Sequence, residues 1–268
     1  MKYYTIAPPP MLAKYVRYYW VLEAGVAPGT EYIHRTMADG SAEMIFHYKG
    51  MFDELDVDSQ DSYAPAQLHA QTRHFRRFIV GESFGIFGVY LYPFAIPAFF
   101  SMPSSVVSNH LPGLDDLLGA SGKILEEKMM LAKDNRQRVA LISDFLLQQL
   151  RKKSPHYTAM HAAVQGVIAI KGMVNVQRLA SSYCLSPRQF ERKFKELSGF
   201  SPKTYARIIR FQAALMEYDH KHKSLTDIAY ECGYYDQSHF IHDFREFSGY
   251  HPKQYFSGAA EGVAYRDV

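Results

Sequence analysis

The spacing of apolar residues divides the chain into a strand-rich first part and a helical second part. Apolar and polar positions alternate in residues 41–48, and short apolar runs occupy residues 15–23, 77–80 and 84–91. Short runs of this kind, bounded by glycine and polar loops, are typical of β-strands, although residues 15–23 would also suit a short amphipathic helix. Because strands and helices do not alternate, we expect an antiparallel barrel or sandwich over residues 1–110.

Residues 111–155 change to helical spacing. Their apolar positions predict helices over residues 114–118, 124–131 and 138–150. Leu146 and Leu150 share one face of the last helix, which would either form a dimer or pack on the first part of the same chain. A basic run that ends at Pro155 predicts a domain boundary there.

The C-terminal part contains one phrase twice. Residues 186–205 and 236–255, at a spacing of 50, are identical at 8 of 20 positions. A repeat at a fixed period indicates one supersecondary unit that is used twice. The identical pairs are Phe190/Phe240, Phe194/Phe244, Glu196/Glu246, Ser198/Ser248, Gly199/Gly249, Pro202/Pro252, Lys203/Lys253 and Tyr205/Tyr255.

Start and stop signals place helices in both copies. In the first copy, Ser186 followed by proline and by Gln189 predicts a helix start, and Gly199 predicts its end. Asp236 and Gly249 do the same in the second copy. Shorter helices are predicted just before each, over residues 176–183 and 225–232, and two short helices joined by a tight turn are the helix-turn-helix layout. Further helices are predicted over residues 157–170, from 202 to about 220, and over 252–256.

Charge is concentrated in the first copy. The net charge of the whole chain is +3, but residues 176–215 hold 8 basic and 2 acidic groups, whereas residues 216–256 hold 4 and 7. A basic patch confined to one module indicates a polyanionic partner. We therefore expect the first copy to supply most of the affinity and the second copy to add discrimination.

Several protein classes are disfavoured by composition. No apolar run reaches the roughly 18–20 residues of a membrane span, and the N-terminus lacks the layout of a signal peptide. Cys184 and Cys232 are predicted to be two buried thiols in a reducing cytoplasm and not a disulfide framework. We expect a cytoplasmic protein without membrane contact.

The second copy resembles a known family. Residues 225–234 (LTDIAYECGY), 237–240 (QSHF), 244–245 (FR) and 248–252 (SGYHP) are similar to the signature of the AraC/XylS family of bacterial transcription regulators. The resemblance covers residues 156–256. It implies seven helices, with two helix-turn-helix units joined by a long helix, and two recognition helices that enter successive major-groove segments of double-stranded DNA.

The resemblance also assigns DNA contacts by position. The base contacts that it implies are Arg188, Glu191, Arg192, Gln237, Ser238, His239 and His242. The phosphate contacts are Lys195, Lys203 and Arg207. The chain departs from the family pattern at His239 and His242, where a small polar residue, often with an arginine, is usual.

Residues 1–110 resemble, more loosely, the cupin-like sensor domain that precedes this module in part of the family. The matching stretches are residues 12–19, 37–46 and 87–102. The resemblance implies a small-molecule effector, and Trp20, Tyr90 and Tyr92 are candidates to line its pocket, although aromatic residues on strands are more often plain core. The predicted fold class is α+β: a β-rich domain (1–110), a helical linker or dimerisation segment (111–155), an all-α double helix-turn-helix domain (156–256) and a tail (257–268).

Other interpretations remain open at this stage. Arg35, Arg73 and Arg76 could bind an anionic effector, and Glu43, His47, His69 and His74 could form a metal cluster, but their spacing is loose and we expect neither a metal nor a cofactor. A DNA-repair methyltransferase would need a reactive cysteine, which residues 1–155 lack, and no nucleophile elbow supports catalysis. A metabolite enzyme tethered to DNA is a third reading. We expect a regulator that is not an enzyme, with RNA polymerase and a second copy of the chain as candidate partners.

Overall fold

Antiparallel sheets form the first part of the chain. The structure is a computed structural model that describes residues 1–55, 64–153, 159–217 and 223–262. The predicted boundary at Pro155 and residues 263–268 of the predicted tail lie outside these ranges. The strands are β1 (Lys2–Ile6), β2 (Val16–Ala24), β3 (Tyr32–Thr36), β4 (Ala42–Lys49), β5 (Asp53–Glu54), β6 (Ala66–His69), β7 (Arg76–Val80) and β8 (Phe84–Leu91).

The strands form two sheets. The larger has the order β1-β2-β8-β4-β6 and the smaller the order β3-β7-β5, and all the pairs are antiparallel. The four predicted strands are confirmed as β2, β4, β7 and β8, and residues 15–23 are strand and not helix. Sequence reasoning missed β1, β3, β5 and β6, which are each five residues long or shorter.

The large sheet has two different faces. Because side chains alternate along a strand, Tyr19 and Val21 of β2 point to one face and Trp20 to the other, against the smaller sheet. Trp20 is paired with Gly88, and a Cβ on Gly88 would lie 2.0 Å from the indole. The missing Cβ at Gly88 therefore leaves room for the indole to lie against the backbone of β8.

Five helices follow the sheets. They are α1 (Ala95–Phe100), α2 (Ser104–Val107), α3 (Leu114–Leu118), α4 (Ala120–Leu131) and α5 (Asn135–Lys153). The sequence reading missed α1 and α2. On α5, Ile142 and Leu146 are fully buried, and Ser143 shares a hydrogen bond of 2.9 Å with the Tyr19 hydroxyl. The apolar face of α5 thus packs on the sheet of its own chain, which leaves Leu146 unavailable for a dimer.

Seven helices make up the described part of residues 159–262, as the resemblance implies. The fourth of them ends at Leu215, with Met216 as its C-cap, and so is shorter than the predicted helix to about residue 220. The helices are α6 (Ala159–Ala169), α7 (Val176–Ser182), α8 (Pro187–Ser198), α9 (Pro202–Leu215), α10 (Leu225–Glu231), α11 (Gln237–Ser248) and α12 (Pro252–Phe256).

The sheets and the C-terminal helices share one apolar core. The buried cluster runs from Phe46 and Phe87 on the large sheet, through Leu146 on α5, to Phe194 and Phe244 on α8 and α11. An α+β fold is confirmed. The proposed domain limits at residues 110 and 155 remain predictions, since the packing is continuous across the three parts.

Candidate nucleic-acid interface and ligand cavity

Local cap chemistry fixes both helices that are predicted to read DNA. The Ser186 hydroxyl accepts a bond from the Gln189 amide, and the Gln189 side chain accepts one from the Ser186 amide, at 3.3 Å each. In the second copy, the Asp236 carboxylate accepts from the His239 amide at 2.7 Å. Capping of this kind satisfies amides that have no partner within the helix.

The residues shared by the two copies form their scaffold. Phe190 and Phe194 on α8 are buried, as are their counterparts on α11. The Phe194 ring meets the edge of Tyr205 at 5.6 Å, and the Phe244 ring meets Tyr255 at 5.2 Å in the same T-shaped arrangement. The two copies therefore keep the same packing even though their outward residues differ.

The first copy exposes its predicted base contacts. Arg188, Glu191 and Arg192 all lie on the exposed face of α8. The only ion pair that α8 shows among the described residues is weak, with Arg192 and Glu196 4.0 Å apart and both well exposed. The guanidinium groups of this helix are thus available to a ligand, since exposed pairs of this kind contribute little.

The second copy exposes Gln237, Ser238 and His242. His239 is half-buried, and its ring stands edge-on to Tyr234 at 5.4 Å. The Gln237 amide oxygen accepts a bond from the Thr226 hydroxyl at 3.3 Å, which links α11 to α10. His239 is therefore placed partly as a packing residue, whereas the other three face outward.

The expected phosphate contacts behave differently from one another. Lys195 and Lys203 are exposed. Arg207 instead bonds to Asp243 at 2.7 Å and to Glu246 at 2.5 Å, so that its guanidinium clamps α9 onto α11. Arg207 thus has a role inside the fold, because its Nε and Nη2 donors bond to Asp243 and Glu246, and its role as a phosphate contact stays a prediction.

The two cysteines are not equivalent, which corrects the expectation of two buried thiols. Cys232 is buried, and burial raises the pKa of its thiol to about 11. Cys184 is exposed and adopts φ 53°, in the turn where the second copy has Gly233 with φ 75°. The turn of the second copy is longer by one residue, as it runs from Gly233 to the cap Asp236.

A cavity of about 280 Å³ lies between the two sheets, and it is lined by Trp20 and Tyr90 among the predicted pocket residues. Tyr92 does not line it, because it follows the last residue of β8 and stacks on Phe94 at 5.4 Å. The role of Tyr92 in an effector pocket stays a prediction that this cavity does not support. Tyr18, an aromatic candidate two residues before Trp20 on β2, also lines the cavity, whereas sequence reasoning missed Tyr3 and Asp39.

One end of the cavity is lined by histidines. Burial lowers the pKa of His34 and His47 to about 4 and that of His69 to about 3, so that all three are neutral at pH 7. His47 Nδ1 and His69 Nε2 have no hydrogen-bond partner among the described residues. His47 and His69, two members of the possible metal cluster, therefore both line the cavity. His74, a third member, is not among the lining residues and bonds to Arg73 at 3.2 Å.

The geometry of this end does not suit a metal ion. Within the described ranges, the donor atoms close enough for a shared ion belong to His242, Asp243 and Glu246, and Arg207 already binds both of those carboxylates. Of the arginines considered for an anion, Arg76 lines the cavity but makes two bonds of 3.0 Å to Glu54. Arg35 points away, to the Ser248 carbonyl at 3.1 Å.

Residues 36–41 form a wall between the cavity and the C-terminal helices. Met37, Asp39 and Ser41 line the cavity. The alternate residues face the other way: the Ala38 amide donates to the Phe247 carbonyl at 2.9 Å, and a Cβ on Gly40 would lie 2.8 Å from Ile209. This 36–41 segment therefore touches the cavity on one side and α9 and α11 on the other.

Comparisons with known proteins agree with this architecture. Residues 179–258 match the family described as "Helix-turn-helix domain". Over 85 residues the chain is 34% identical to the HTH-type transcriptional activator RhaS of Escherichia coli K12. Residues 179–258 form an AraC-type helix-turn-helix domain. That alignment covers 32% of this chain and 31% of RhaS, so the chain spans about a third of the length of the curated relatives it matches.

The region before the AraC-type domain matches a different family. Residues 4–111 match "Domain of unknown function (DUF6597)", and the cupin-like character expected for this region stays a prediction. Two solved structures of ToxT from Vibrio cholerae O395 are also similar. One has 13% identity and a TM-score of 0.47 over 89% of this chain and 97% of ToxT. The other, bound to (E)-4-(8-methylnaphthalen-1-yl)but-3-enoic acid, has 11% identity and a TM-score of 0.49 over 90% and 99%.

Membrane insertion through a helix finds no support. Across the described ranges, each helix is too short or too polar to cross a bilayer.

Proposed function

We propose that the protein is a sequence-specific DNA-binding transcriptional regulator that is controlled by a small molecule in the N-terminal cavity. The observation that carries this proposal is the pair of capped helices α8 and α11. They share their buried residues, while the outward residues expected to contact bases differ between the copies. Two units with the same fold but different exposed faces are what a protein needs in order to read an asymmetric DNA site.

The exposed side chains suit base recognition in the major groove. Arg188 and Arg192 can each bond a guanine through two donors, and Gln237 can pair with an adenine edge. Glu191 can accept a hydrogen bond from the amino group of cytosine, and Ser238 can bond to more than one kind of base. His239 and His242 complete the contact surface of the second copy. Lys195 and Lys203 would contact phosphates, whereas Arg207 supports α11 from behind.

Control by a small molecule is supported by the 36–41 segment. Asp39 lines the cavity and accepts bonds of 2.7 Å from the Tyr90 hydroxyl and from the Gln212 amide on α9. A ligand that moved Asp39 would act on the helix that joins the two helix-turn-helix units. Differential contact of this kind is what a ligand needs in order to shift a protein between two states.

The remaining expectations are part of the same proposal. The protein acts in the cytoplasm and is not an enzyme, and RNA polymerase and a second copy of the chain are candidate partners. A dimer would have to use a surface other than the buried face of α5.

The test is a selection of random double-stranded DNA on the full-length protein. We expect an enriched site with two unlike blocks about 10 base pairs apart, one for each recognition helix. Binding of the enriched site, followed by fluorescence anisotropy, should weaken steeply with salt. Recovery of no sequence motif, or an affinity that salt does not change, would overturn the proposal.

A further inference from the structure

Two acidic side chains, Asp39 and Glu43, also line the cavity. Glu43 on β4 is paired with His69 on β6, so its carboxyl lies beside that ring. Burial, and then the charge of Asp39, raises the pKa of Glu43 to about 8, so that ionising both carboxylates is unfavourable. A cation between them would relieve this repulsion.

Among the described residues, Arg76 is the arginine that lines the cavity, and it bonds to groups other than these acids. Nη1 of Arg76 donates two bonds of 3.0 Å to the Glu54 carboxylate. Nη2 donates a bond of 2.6 Å to the Asn109 carbonyl. Arg17 lies outside the lining, with its guanidinium 5.1 Å from the centroid of the Tyr90 ring, and its positive charge interacts with Asp39. Since the histidines are neutral at pH 7, Arg17 balances one carboxylate, and ionising Glu43 as well leaves a net negative charge for a ligand to meet.

Four aromatic rings line the cavity around the same two acids. Tyr18 and Tyr90 stack at 4.9 Å, and Tyr3 lies 6.4 Å from Trp20. Trp20 donates a hydrogen bond to Glu43, and the hydroxyl of Tyr90 donates to Asp39. The faces of such rings attract cations, and aromatic cages with nearby carboxylates recognise organic ammonium groups.

Asp39 retains room for a ligand. Its carboxylate accepts three bonds of 2.7 Å, from the Ser41 amide, the Tyr90 hydroxyl and the Gln212 amide. A carboxylate has about four acceptor sites, so one is left for a donor in the cavity. At the histidine end, His47 Nδ1 and His69 Nε2 have no hydrogen-bond partner within the described part of the chain, and Phe52 and Phe78 supply apolar wall. That end suits an uncharged body with one or two polar groups.

We propose that the cavity binds an organic ammonium compound, with its protonated or quaternary nitrogen between Asp39 and Glu43 inside the ring of Tyr3, Tyr18, Trp20 and Tyr90. The uncharged body of the ligand lies against the histidine end. This inference rests on the proposed function, because it names the class of the effector. The nitrogen reaches Asp39, so the occupied cavity contacts the residue that also holds Gln212 on α9.

The test uses calorimetric titration of the full-length protein with matched probes, in the absence of DNA. Choline is compared with its uncharged isostere 3,3-dimethylbutan-1-ol, and phenethylamine with the anion 3-phenylpropanoate. We expect each cation to bind at least about tenfold more tightly than its reference compound. The heat should also depend on the buffer, because a cation makes Glu43 release its proton.

Variants of exposed and cavity carboxylates make the test specific. Glu43→Gln keeps the size of the side chain and should weaken the cations about tenfold, whereas the exposed Glu82→Gln should leave them unchanged. If Glu43→Gln fails to fold, the test relies on the unaltered protein, through the ratio of its affinity for each cation to its affinity for the matched reference compound. The proposal is overturned if the reference compounds bind as tightly as the matched cations, or if no cation saturates the protein below about 10 mM.

The two proposals can fail separately. The DNA selection is carried out without a ligand and the titration without DNA. An enriched DNA motif together with no preference for cations would remove only the ligand class. A preference for cations in a protein that selects no DNA motif would remove only the regulator.

Discussion

Gln212 on α9 donates a hydrogen bond of 2.7 Å to Asp39, a residue 173 positions earlier that lines the cavity. Asp39 is half-buried, and its other carboxylate oxygen accepts from Tyr90. A single carboxylate therefore joins the wall of the cavity to the helix between the two helix-turn-helix units. Removing either donor leaves part of a sequestered charge without a partner, which is costly.

Gln212→Ala should therefore lower the free energy of unfolding by about 1–3 kcal/mol. It should also reduce the effect of any cavity ligand on DNA affinity, because the direct contact from Asp39 to α9 is lost. Urea unfolding and anisotropy with and without the ligand measure the two effects. Gln177→Ala, at an exposed helical position, is the control and should change stability little. An unchanged ligand response in Gln212→Ala would show that the signal takes another route.

Arg207 offers a second test of how the two units are joined. Its partner Asp243 has a side chain only 1% exposed, so Arg207→Ala leaves a buried carboxylate without its main counter-ion. We expect a loss of about 3 kcal/mol in the free energy of unfolding. Hydroxyl-radical footprinting should show weaker protection in the half of the DNA site that α11 reads.

The control for Arg207 lies on α11 itself. Arg245 is exposed, and Arg245→Ala should leave stability nearly unchanged. If Arg207 were instead a phosphate contact, Arg207→Ala would weaken DNA binding without destabilising the fold. That pattern would support the expectation that the family resemblance gave.

Cys184 carries backbone strain that the second copy avoids. A left-handed conformation costs an L-residue about 1–2 kcal/mol. Glycine avoids that cost but loses about 0.5–1 kcal/mol of stability, because its unfolded chain has more conformational freedom. Cys184→Gly should therefore raise the free energy of unfolding by about 0.5–1 kcal/mol. Cys184→Ala removes the same thiol but keeps Cβ, and should give no such gain. Equal stability of the two variants would show that φ 53° is not strained here.

Local signals explain why the C-terminal helices could be placed from sequence. The bonds of the Ser186 cap reach only three residues along the chain, and Gly199 ends α8 through its own left-handed conformation. The apolar spacing of α5 likewise predicted its buried face. Such features need no knowledge of distant contacts, and they recur at the same positions in the second copy.

Long-range contacts explain what sequence reasoning missed. Whether Trp20 or Tyr92 reaches the cavity depends on which strands pair and where β8 ends. The role of Arg207 depends on an acid 36 residues away, and Asp39 has its partner on a helix in another part of the chain. The repeat also concealed the strain at Cys184, because the turns of the two copies differ in length.

Arg192 and Lys203 should separate specificity from affinity. Both are exposed, but Arg192 lies on α8 itself and Lys203 at the start of α9. Arg192→Ala should cost about 1–3 kcal/mol on the selected site and relax the choice at one base position. Lys203→Ala should weaken all sequences alike and reduce the salt slope by about 1. Lys14→Ala, exposed on the first domain, is the control. Equal losses on selected and random DNA for Arg192→Ala would place it on a phosphate.

Stability should fall as the pH is lowered from 6.5 to about 4. Burial depresses the pKa of His34, His47 and His69 from 6.5 to about 4 or 3. The unfolded chain then binds more protons than the folded chain in this range, so the stability these rings contribute is present above pH 6.5 and is lost below it. We expect a loss on the order of 1 kcal/mol per histidine by about pH 5.

Glu43 acts with the opposite sign. Its pKa is raised from 4.5 to about 8, so the folded chain holds a proton that the unfolded chain releases, and the stability it contributes is lost as the pH rises from about 4.5 to 8. Between pH 4.5 and 6.5 the three histidines outweigh this single carboxyl. Urea midpoints of the unaltered protein should therefore be lower at about pH 5 than at about pH 7. His47→Gln should flatten this dependence, while the exposed His242→Gln should not. A midpoint that is constant over this range would show that the three rings are hydrated and titrate normally.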